Sequence, residues 1–287
     1  MQPALVSIHG GHSGEYCNHA RDSLEEIVLA YIAKGFKWVG LTEHIPPVAD
    51  RYLYPDERQA GLTVQAMTDR FGRYMAEARR LQAVYKDRIQ LLVGFETEYY
   101  TGCLAHIRTL VRQYLPDYFV GSLHHVEDIP FDLSPADYQR ALTACGGVEA
   151  LYCRYFDLQH ELIEFLHPPV VGHFDLIRLF DSHYTSHLQF PSVVERIERN
   201  LNLMARLGLI LDFNVAALRK GASEPYVTGR ILARARDLGI AAVPGDDSHG
   251  VAMAGAFIAE GIAALQETGF DTVWRQPAMI RESMDKQ

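Results

Sequence analysis

Cysteine is scarce in this sequence, and its spacing excludes two classes of protein. The chain of 287 residues has four cysteines, at 17, 103, 145 and 153, and no two of them form a CxxC pair. A small disulfide-stabilised domain or a structural zinc knuckle needs more cysteines at closer spacing. With 48% hydrophobic residues, we expect the chain to form its own apolar core.

The sequence also lacks basic clusters and long apolar runs. Lys and Arg total 27 against 36 Asp and Glu, which gives a net charge of −9. Such a chain is a poor candidate for binding nucleic acid or anionic membranes. No apolar run has the length of a membrane span, and the first residues do not resemble a signal peptide. We therefore expect a cytoplasmic protein that binds neither nucleic acid nor membrane; the sequence carries no signal for its oligomeric state.

Short apolar runs alternate with helical patterns along the chain. This alternation predicts a parallel sheet with helical crossovers, and the absence of a repeat or linker predicts one barrel-like domain. The predicted strands are Ala4–Ile8, Trp38–Thr42, Ile89–Phe95, Tyr118–Leu123, Val170–Gly172, Ile210–Asn214 and Ala241–Pro244. The first predicted helix begins at Ser23, and further helices are predicted near 63–86, 134–166, 191–206, 226–238 and 253–267. Loop excursions are predicted at 46–62 and 181–190.

Polar or ionisable residues follow each predicted strand. They are His9, His12 and His19; Glu43 and His44; Glu96 and Glu98; His124 and His125; His173, Asp175 and Arg178; Asn214, Arg219 and Lys220; and Asp246, Asp247 and His249. In a (β/α) barrel these strand ends open on one face. Imidazoles and carboxylates bind divalent transition metals, and there are too many here for one ion. The pattern predicts two to three ions of zinc, manganese or iron.

Each of these residues alone has a plain structural explanation, as a helix cap, a loop residue or a satisfied core group. The metal hypothesis depends on their combination at seven strand ends. Five other histidines, at 106, 160, 167, 183 and 187, do not follow strands, and we do not expect them to bind metal. We interpret Cys17 as a packed thiol close to the site.

The ordered motifs resemble a known family. The segments "HGGHSGEYCNHA", "GLTEH", "GFETEY", "GSLHH", "VVGHFDLIR", "FNVAALRKG" and "GDDSH" are similar to those of the PHP family, named for polymerase and histidinol phosphatase, and most similar to its histidinol-phosphate phosphatase branch. The resemblance runs from position 6 to about 250. It implies a single PHP-type domain over residues 1–287, folded as a distorted, TIM-like (β/α)7 barrel of the α/β class with a trinuclear metal centre.

The resemblance also implies ligands and roles. One ion would take His9, His12, Glu96 and Asp247; a second would share Glu96 with His124 and His173; a third would take His19, His44 and His249. Glu96, Asp247 and His249 would act in catalysis, and Arg178 and Arg219 would bind phosphate. Glu98 lies two residues beyond Glu96 and so faces the same way along the strand; from this position we expect it to orient a ligand or bind the substrate amine. One departure concerns His9: two glycines separate it from His12 where the family has one residue, and glycine allows the bend that would restore convergence.

The implied activity is hydrolysis of L-histidinol phosphate, a small phosphate ester of histidine biosynthesis, to L-histidinol and phosphate. Two alternatives remain open. One is a PHP phosphoesterase acting on another small phosphate ester or nucleotide, and the other is a metal-binding barrel without turnover. A metal-dependent amidohydrolase is disfavoured, because no lysine directly follows a predicted strand, where it could bridge the metals.

Overall fold

Seven strands form the central ring of the protein. The computed structural model describes residues 3–280, so the two ends of the predicted 1–287 domain lie outside the described residues. The ring strands are β1 (Val6–Gly10), β2 (Trp38–Leu41), β3 (Gln90–Val93), β4 (Val120–Gly121), β7 (Val170–Val171), β8 (Ile210–Asn214) and β9 (Ala241–Gly245). A two-stranded antiparallel hairpin, β5 (His125–Val126) and β6 (Ile129–Pro130), lies outside it.

The ring closes through two junctions between sheets. Parallel pairing gives the orders β1-β2-β3 and β4-β7-β8-β9. Between β3 and β4, Glu96 bridges to Val120 and the Thr97 amide donates to the Val120 carbonyl at 2.9 Å. Between β9 and β1, the Asp247 amide donates to the His9 carbonyl at 2.8 Å. The strands therefore follow one another around a barrel, as the sequence predicts.

The interior of the ring is a separate apolar cluster. Its buried members come from all seven ring strands or their edges: Val6, Ile8, Trp38, Leu92, Tyr118, Val120, Val170, Ile210 and Val243. The Tyr118 hydroxyl donates to the Ile8 carbonyl. Gly40 makes room for that ring, because a Cβ there would overlap Tyr118. These side chains close the barrel below the strand ends, so that a site can form only above them.

Helices surround the ring and bury their apolar faces against it. Their bounds are α1 Leu24–Ala33, α2 Pro55–Gln59, α3 Val64–Tyr85, α4 Cys103–Tyr114, α5 Pro135–Cys145, α6 Val148–Leu166, α7 Tyr184–His187, α8 Pro191–Leu207, α9 Ala216–Arg219, α10 Gly229–Asp237 and α11 Ile258–Thr268, with 3-10 turns at Asp50–Tyr52 and Leu176–Arg178. Helix α1 begins with a capping box, in which Ser23 and Glu26 satisfy each other's backbone amides. No helix within residues 3–280 is long and apolar enough to span a membrane.

Several predicted elements need correction. The helical pattern at 134–166 is two helices, because Gly146 and Gly147 both have positive φ and break it. Helix α4 was not predicted; it begins at Cys103, and the preceding residue, Gly102, offers no side-chain cap. The last helix begins at 258, not 253, and 226–238 shortens to α10. The excursions at 46–62 and 181–190 contain short helical turns. Strand β4 is shorter than predicted at both ends, and directly after it the Ser122 amide donates to a side chain, Thr97 Oγ1.

Candidate metal centre

The carboxylate of Glu96 lies at the centre of the strand-end histidines. Its Oε1 is 2.8 Å from His173 Nε2, 3.1 Å from His124 Nε2 and 3.4 Å from His9 Nε2. Its Oε2 is 3.1 Å from His44 Nδ1. One buried anion thus faces four imidazoles from four different strand ends, with a different set on each oxygen.

The donor atoms form overlapping groups that contain all nine predicted metal ligands. Within each group they lie within 4.8 Å of one another. The groups are Cys17, His19, His44 and His249; His9, Glu96 and His173; His9, His12 and Asp247; His12, His44 and Glu96; and His44, Glu98 and His124. The histidines at 106, 160, 167, 183 and 187 belong to none of these groups in the described part of the chain.

The spacing of His9 and His12 does not prevent their convergence. The β1–β2 register shifts between Ser7 and Gly10, and Gly11 follows with φ +76°. A Cβ at Gly11 would also lie 2.9 Å from Leu41 Cδ2. Glycine therefore absorbs the extra residue, and the two rings lie 5.9 Å apart at their centroids.

Three carboxylates accept hydrogen bonds from the outer nitrogens of these histidines, and two of them, Asp212 and Asp132, are not among the strand-end residues of the sequence analysis. The contacts are His9 Nδ1 to Asp212 Oδ2 at 2.9 Å, His12 Nδ1 to Glu43 Oε1 at 3.2 Å, and His124 Nδ1 to Asp132 Oδ2 at 2.8 Å. An acceptor on Nδ1 holds the proton there and turns the lone pair of Nε2 inward. This carboxylate–histidine arrangement is typical of metal sites in proteins.

The central carboxylates are ionised. Burial alone would raise the pKa of Glu96, but the neighbouring His9, His124 and His44 hold it well below its usual value. Burial likewise acts to raise the pKa of Asp247, and the hydrogen bond from His12 together with nearby imidazoles holds it well below its usual value. Both groups therefore present negative charge to a cation.

The histidines divide into two electrostatic classes. Burial lowers the pKa of His44 and of His249, and repulsion from neighbouring imidazoles adds to the effect. These two are neutral and offer lone pairs. For His12, burial lowers the pKa, but hydrogen bonds to Asp247 and Glu43 outweigh it and raise the pKa to about 9. Without a bound metal ion, His12 is protonated, and metal binding would displace this proton.

The donor set fits bound divalent cations. His9 Nε2, His12 Nε2 and His44 Nδ1 are buried and make no hydrogen bond of regular geometry. The carboxylate oxygens that face them lie at 3.4 Å (Glu96 Oε1), 3.3 Å (Asp247 Oδ1) and 3.1 Å (Glu96 Oε2). Buried polar nitrogens without partners are costly unless something binds them. Two further residues of the set, His173 and Asp247, have positive φ of 21° and 46°. Backbone strain of this kind costs about 1–3 kcal/mol and concentrates at functional sites.

An open cleft of about 1060 Å³ lies above these residues. His44, Glu96, His124, Asp247 and His249 form part of its floor. Its lining also contains Tyr54, the cations Arg219 and Lys220, the acidic residues Asp56, Asp132 and Asp137, and the apolar residues Leu133, Leu218, Met253 and Phe257. The cleft therefore places charged and apolar side chains beside one group of metal-binding side chains.

Comparison with protein families agrees with this geometry. The model of the PHP domain family matches residues 10–216. The chain belongs to the PHP domain family. The match runs from the residue after His9 through strand β8, and so includes most of the strand ends described above.

Similar PHP proteins carry one functional name. A Schizosaccharomyces pombe protein named "Probable histidinol-phosphatase" is 39% identical over 249 residues, which cover 85% of this chain and 80% of the relative. A Listeria monocytogenes structure described as a histidinol phosphatase has a TM-score of 0.79 at 27% identity and covers 89% of this chain and 99% of that one. The Lactococcus lactis histidinol phosphate phosphatase, solved with zinc, L-histidinol and phosphate, has a TM-score of 0.68 at 19% identity over 93% and 94% of the chains.

The residues that the PHP resemblance implies for substrate binding lie at different depths. Arg219 lines the cleft and donates to the carbonyls of Asp246 and Asp247. Arg178 is 3% exposed and does not line the cleft; its Nη2 donates to the carbonyls of Glu224 and Pro225. The Arg178 guanidinium instead faces an adjoining hollow that shares Lys220 with the cleft.

Glu98 is buried beside the centre. Its Oε1 accepts from the Tyr54 hydroxyl at 2.7 Å and lies 3.6 Å from His44 Nδ1. Its Oε2 lies 3.3 Å from His125 Nδ1 and has no hydrogen-bond partner. Glu98 also lines a small cavity next to the cleft.

Proposed function

We propose that this chain is a phosphoric monoester hydrolase that converts L-histidinol phosphate to L-histidinol and phosphate in histidine biosynthesis. The observation that carries the proposal is the position of Glu96, whose two oxygens face imidazoles from four strand ends. The choice of substrate is supported by the 39% identity to a protein of that name over 85% of the chain.

The metal ligands proposed are those that the family resemblance implies. His9, His12, Glu96 and Asp247 would hold one ion, Glu96 with His124 and His173 a second, and His19, His44 and His249 a third. We propose two to three divalent ions, zinc, manganese or iron, within one PHP-type domain. When bound, such ions supply charge neutralisation at the phosphoryl oxygens and a lowered pKa of bound water.

The chain's own residues prepare this chemistry. Asp212, Glu43 and Asp132 hold protons on the Nδ1 atoms of three ligands, so that Nε2 remains free to bind. His249 Nδ1 lies 3.0 Å from the Asp247 carbonyl, which fixes its tautomer in the same way. The closed apolar floor of the barrel, with Ile8 and Tyr118, keeps the donors on one face.

For substrate recognition, Arg219 and Lys220 are the cations of the cleft that would hold the phosphate, and Arg178 lines the adjoining hollow, which shares Lys220 with the cleft. A guanidinium binds a phosphate through paired charge-assisted hydrogen bonds. Glu98 Oε2, which lacks a partner, is the proposed acceptor for the amine of histidinol.

The test is phosphate release from a panel of esters by protein reloaded with zinc, manganese or iron. The panel contains L-histidinol phosphate, a nucleoside monophosphate, a sugar phosphate and an aryl phosphate. We expect the highest kcat/KM for L-histidinol phosphate. Preference for another ester would keep the phosphoesterase and change its substrate. No release from any ester, with metals bound, would favour a metal-binding barrel without turnover.

A further inference from the structure

The cleft above the proposed metal ligands exposes large apolar side chains. Leu133, Met253 and Phe257 line it and are 39%, 38% and 39% exposed. Within residues 3–280, nine large apolar side chains are exposed, so a third of them lie in this one cleft. Single exposed apolar residues are normal, but a group of them beside convergent polar side chains is typical of a ligand-binding surface.

Phe257 has a backbone conformation that bulky residues rarely adopt. Its φ of 61° and ψ of 9° lie in the left-handed region, where the Cβ is crowded. Such strain is usual at ligand-binding positions. Burial of the ring does not offset it here, because the residue remains 39% exposed. The chain therefore holds an aromatic ring in the cleft at a cost to its own stability, as functional positions do.

The segment 250–257 is fixed to the loop that carries two proposed metal ligands. The Gly255 amide donates to Asp246 Oδ2 at 2.6 Å. Asp246 is fully buried and directly precedes the proposed ligand Asp247. The Phe257 ring is thereby held at a set position relative to the metal centre, as a rigid part of the site rather than a loose loop.

We propose that Phe257, together with Met253, determines the specificity for the leaving group, by packing against the imidazole ring of L-histidinol phosphate while its phosphate lies at the metal ions. This inference rests on the function proposed above. Two aromatic rings pack favourably in stacked or edge-to-face arrangements. A sugar phosphate is disfavoured on the same surface, because its hydroxyls would lose water without gaining hydrogen-bond partners.

The test compares two esters that differ in the ring alone. Phosphoethanolamine is L-histidinol phosphate without its imidazolylmethyl group, and it keeps the phosphate and the amine. Phe257→Gly removes the aromatic ring and suits the positive φ, so its free energy of unfolding should stay close to that of the parent. With metals reloaded, we expect kcat/KM for L-histidinol phosphate to fall about ten- to a hundredfold, mainly through KM, and kcat/KM for phosphoethanolamine to change less than about twofold.

Two control variants accompany this comparison. Phe257→Tyr keeps the ring and should retain most of the kcat/KM for L-histidinol phosphate. Phe165 is 44% exposed and lines a separate surface pocket, so Phe165→Ala should match the parent with both esters. Met253→Ala, measured with the same pair of esters, covers the case in which Phe257→Gly fails to fold; its loss should again be confined to L-histidinol phosphate.

The outcomes separate this inference from the proposed function. Parent-like kinetics of Phe257→Gly with L-histidinol phosphate would overturn the role of Phe257, and so would an equal loss with both esters. A parent that hydrolyses both esters equally well would also overturn it, without the need for a variant. In each of these cases the phosphatase stands. No release of phosphate from any ester by the metal-loaded parent would instead overturn the proposed function, and this inference with it.

Discussion

Asp212→Asn should weaken metal binding without changing any proposed ligand. Asp212 is fully buried, and its Oδ2 accepts from His9 Nδ1 at 2.9 Å, from the His173 amide at 3.2 Å and from Asn214 Nδ2 at 3.1 Å. An asparagine oxygen can take the same position, but the bond to His9 loses its charge. A charge-assisted hydrogen bond exceeds a neutral one by about 1–2 kcal/mol. We therefore expect zinc affinity to fall about five- to thirtyfold, in keeping with the loss of other outer carboxylates.

The assay is zinc titration of chelator-treated protein against a competing indicator. Asp117→Asn is the matched control. Asp117 is 3% exposed and accepts from Arg79, Gln82 and the Val93 amide, but it contacts no histidine. Unchanged zinc affinity in Asp212→Asn would refute the reasoning, and so would an equal loss in Asp117→Asn, which would indicate a general effect on folding.

Three further predictions concern single side chains. Glu96→Gln keeps the shape of the central group but removes its charge, so it should abolish nearly all phosphate release and reduce the amount of bound metal. The control variant His160→Ala should match the parent. Substantial turnover in Glu96→Gln would show that Glu96 is not part of the metal centre. Arg219→Ala should lower kcat/KM about ten- to a hundredfold for every accepted ester, with selectivity among esters preserved; parent-like kinetics would place Arg219 outside the phosphate site. Glu57 is 7% exposed, and burial raises its pKa from 4.5 to about 7. Because this pKa lies above that of the unfolded chain, ionisation of Glu57 destabilises the folded state; the effect is absent below about pH 4.5 and complete above about pH 7. Glu57→Gln should therefore raise the free energy of unfolding by about 1–3 kcal/mol near pH 8 and by much less near pH 5. Urea unfolding with an equal effect at both pH values would contradict this.

The barrel was predictable because its strands are short apolar runs between helical patterns. Strand β8 matches its predicted bounds, and β7 differs by one residue. Helix α4 was missed because Gly102, the residue before it, has no side chain that could form a capping hydrogen bond. The division of 134–166 into two helices depends on two glycines that a periodic pattern tolerates.

The convergence of the proposed ligands was also predictable, because each lies at or after the C-terminal end of a strand. Of the outer carboxylates, Glu43 directly follows a strand, and the other two were harder to find. Asp212 stands inside β8, where it faces the same side as Asn214, and only the two-residue period of a strand connects it to the site. Asp132 lies beyond a hairpin that the sequence did not indicate. The depth of Arg178 depends on tertiary contacts with Glu224 and Pro225, which no local pattern specifies.

The most direct test of the account follows phosphate release from L-histidinol phosphate as metal is added to chelator-treated protein, with bound ions counted by elemental analysis at each point. The account predicts no release from the metal-free chain, and activity that rises until two to three ions are bound per chain. Full activity with less than one ion per chain would contradict the metal centre. Two to three bound ions without phosphate release would contradict the proposed reaction.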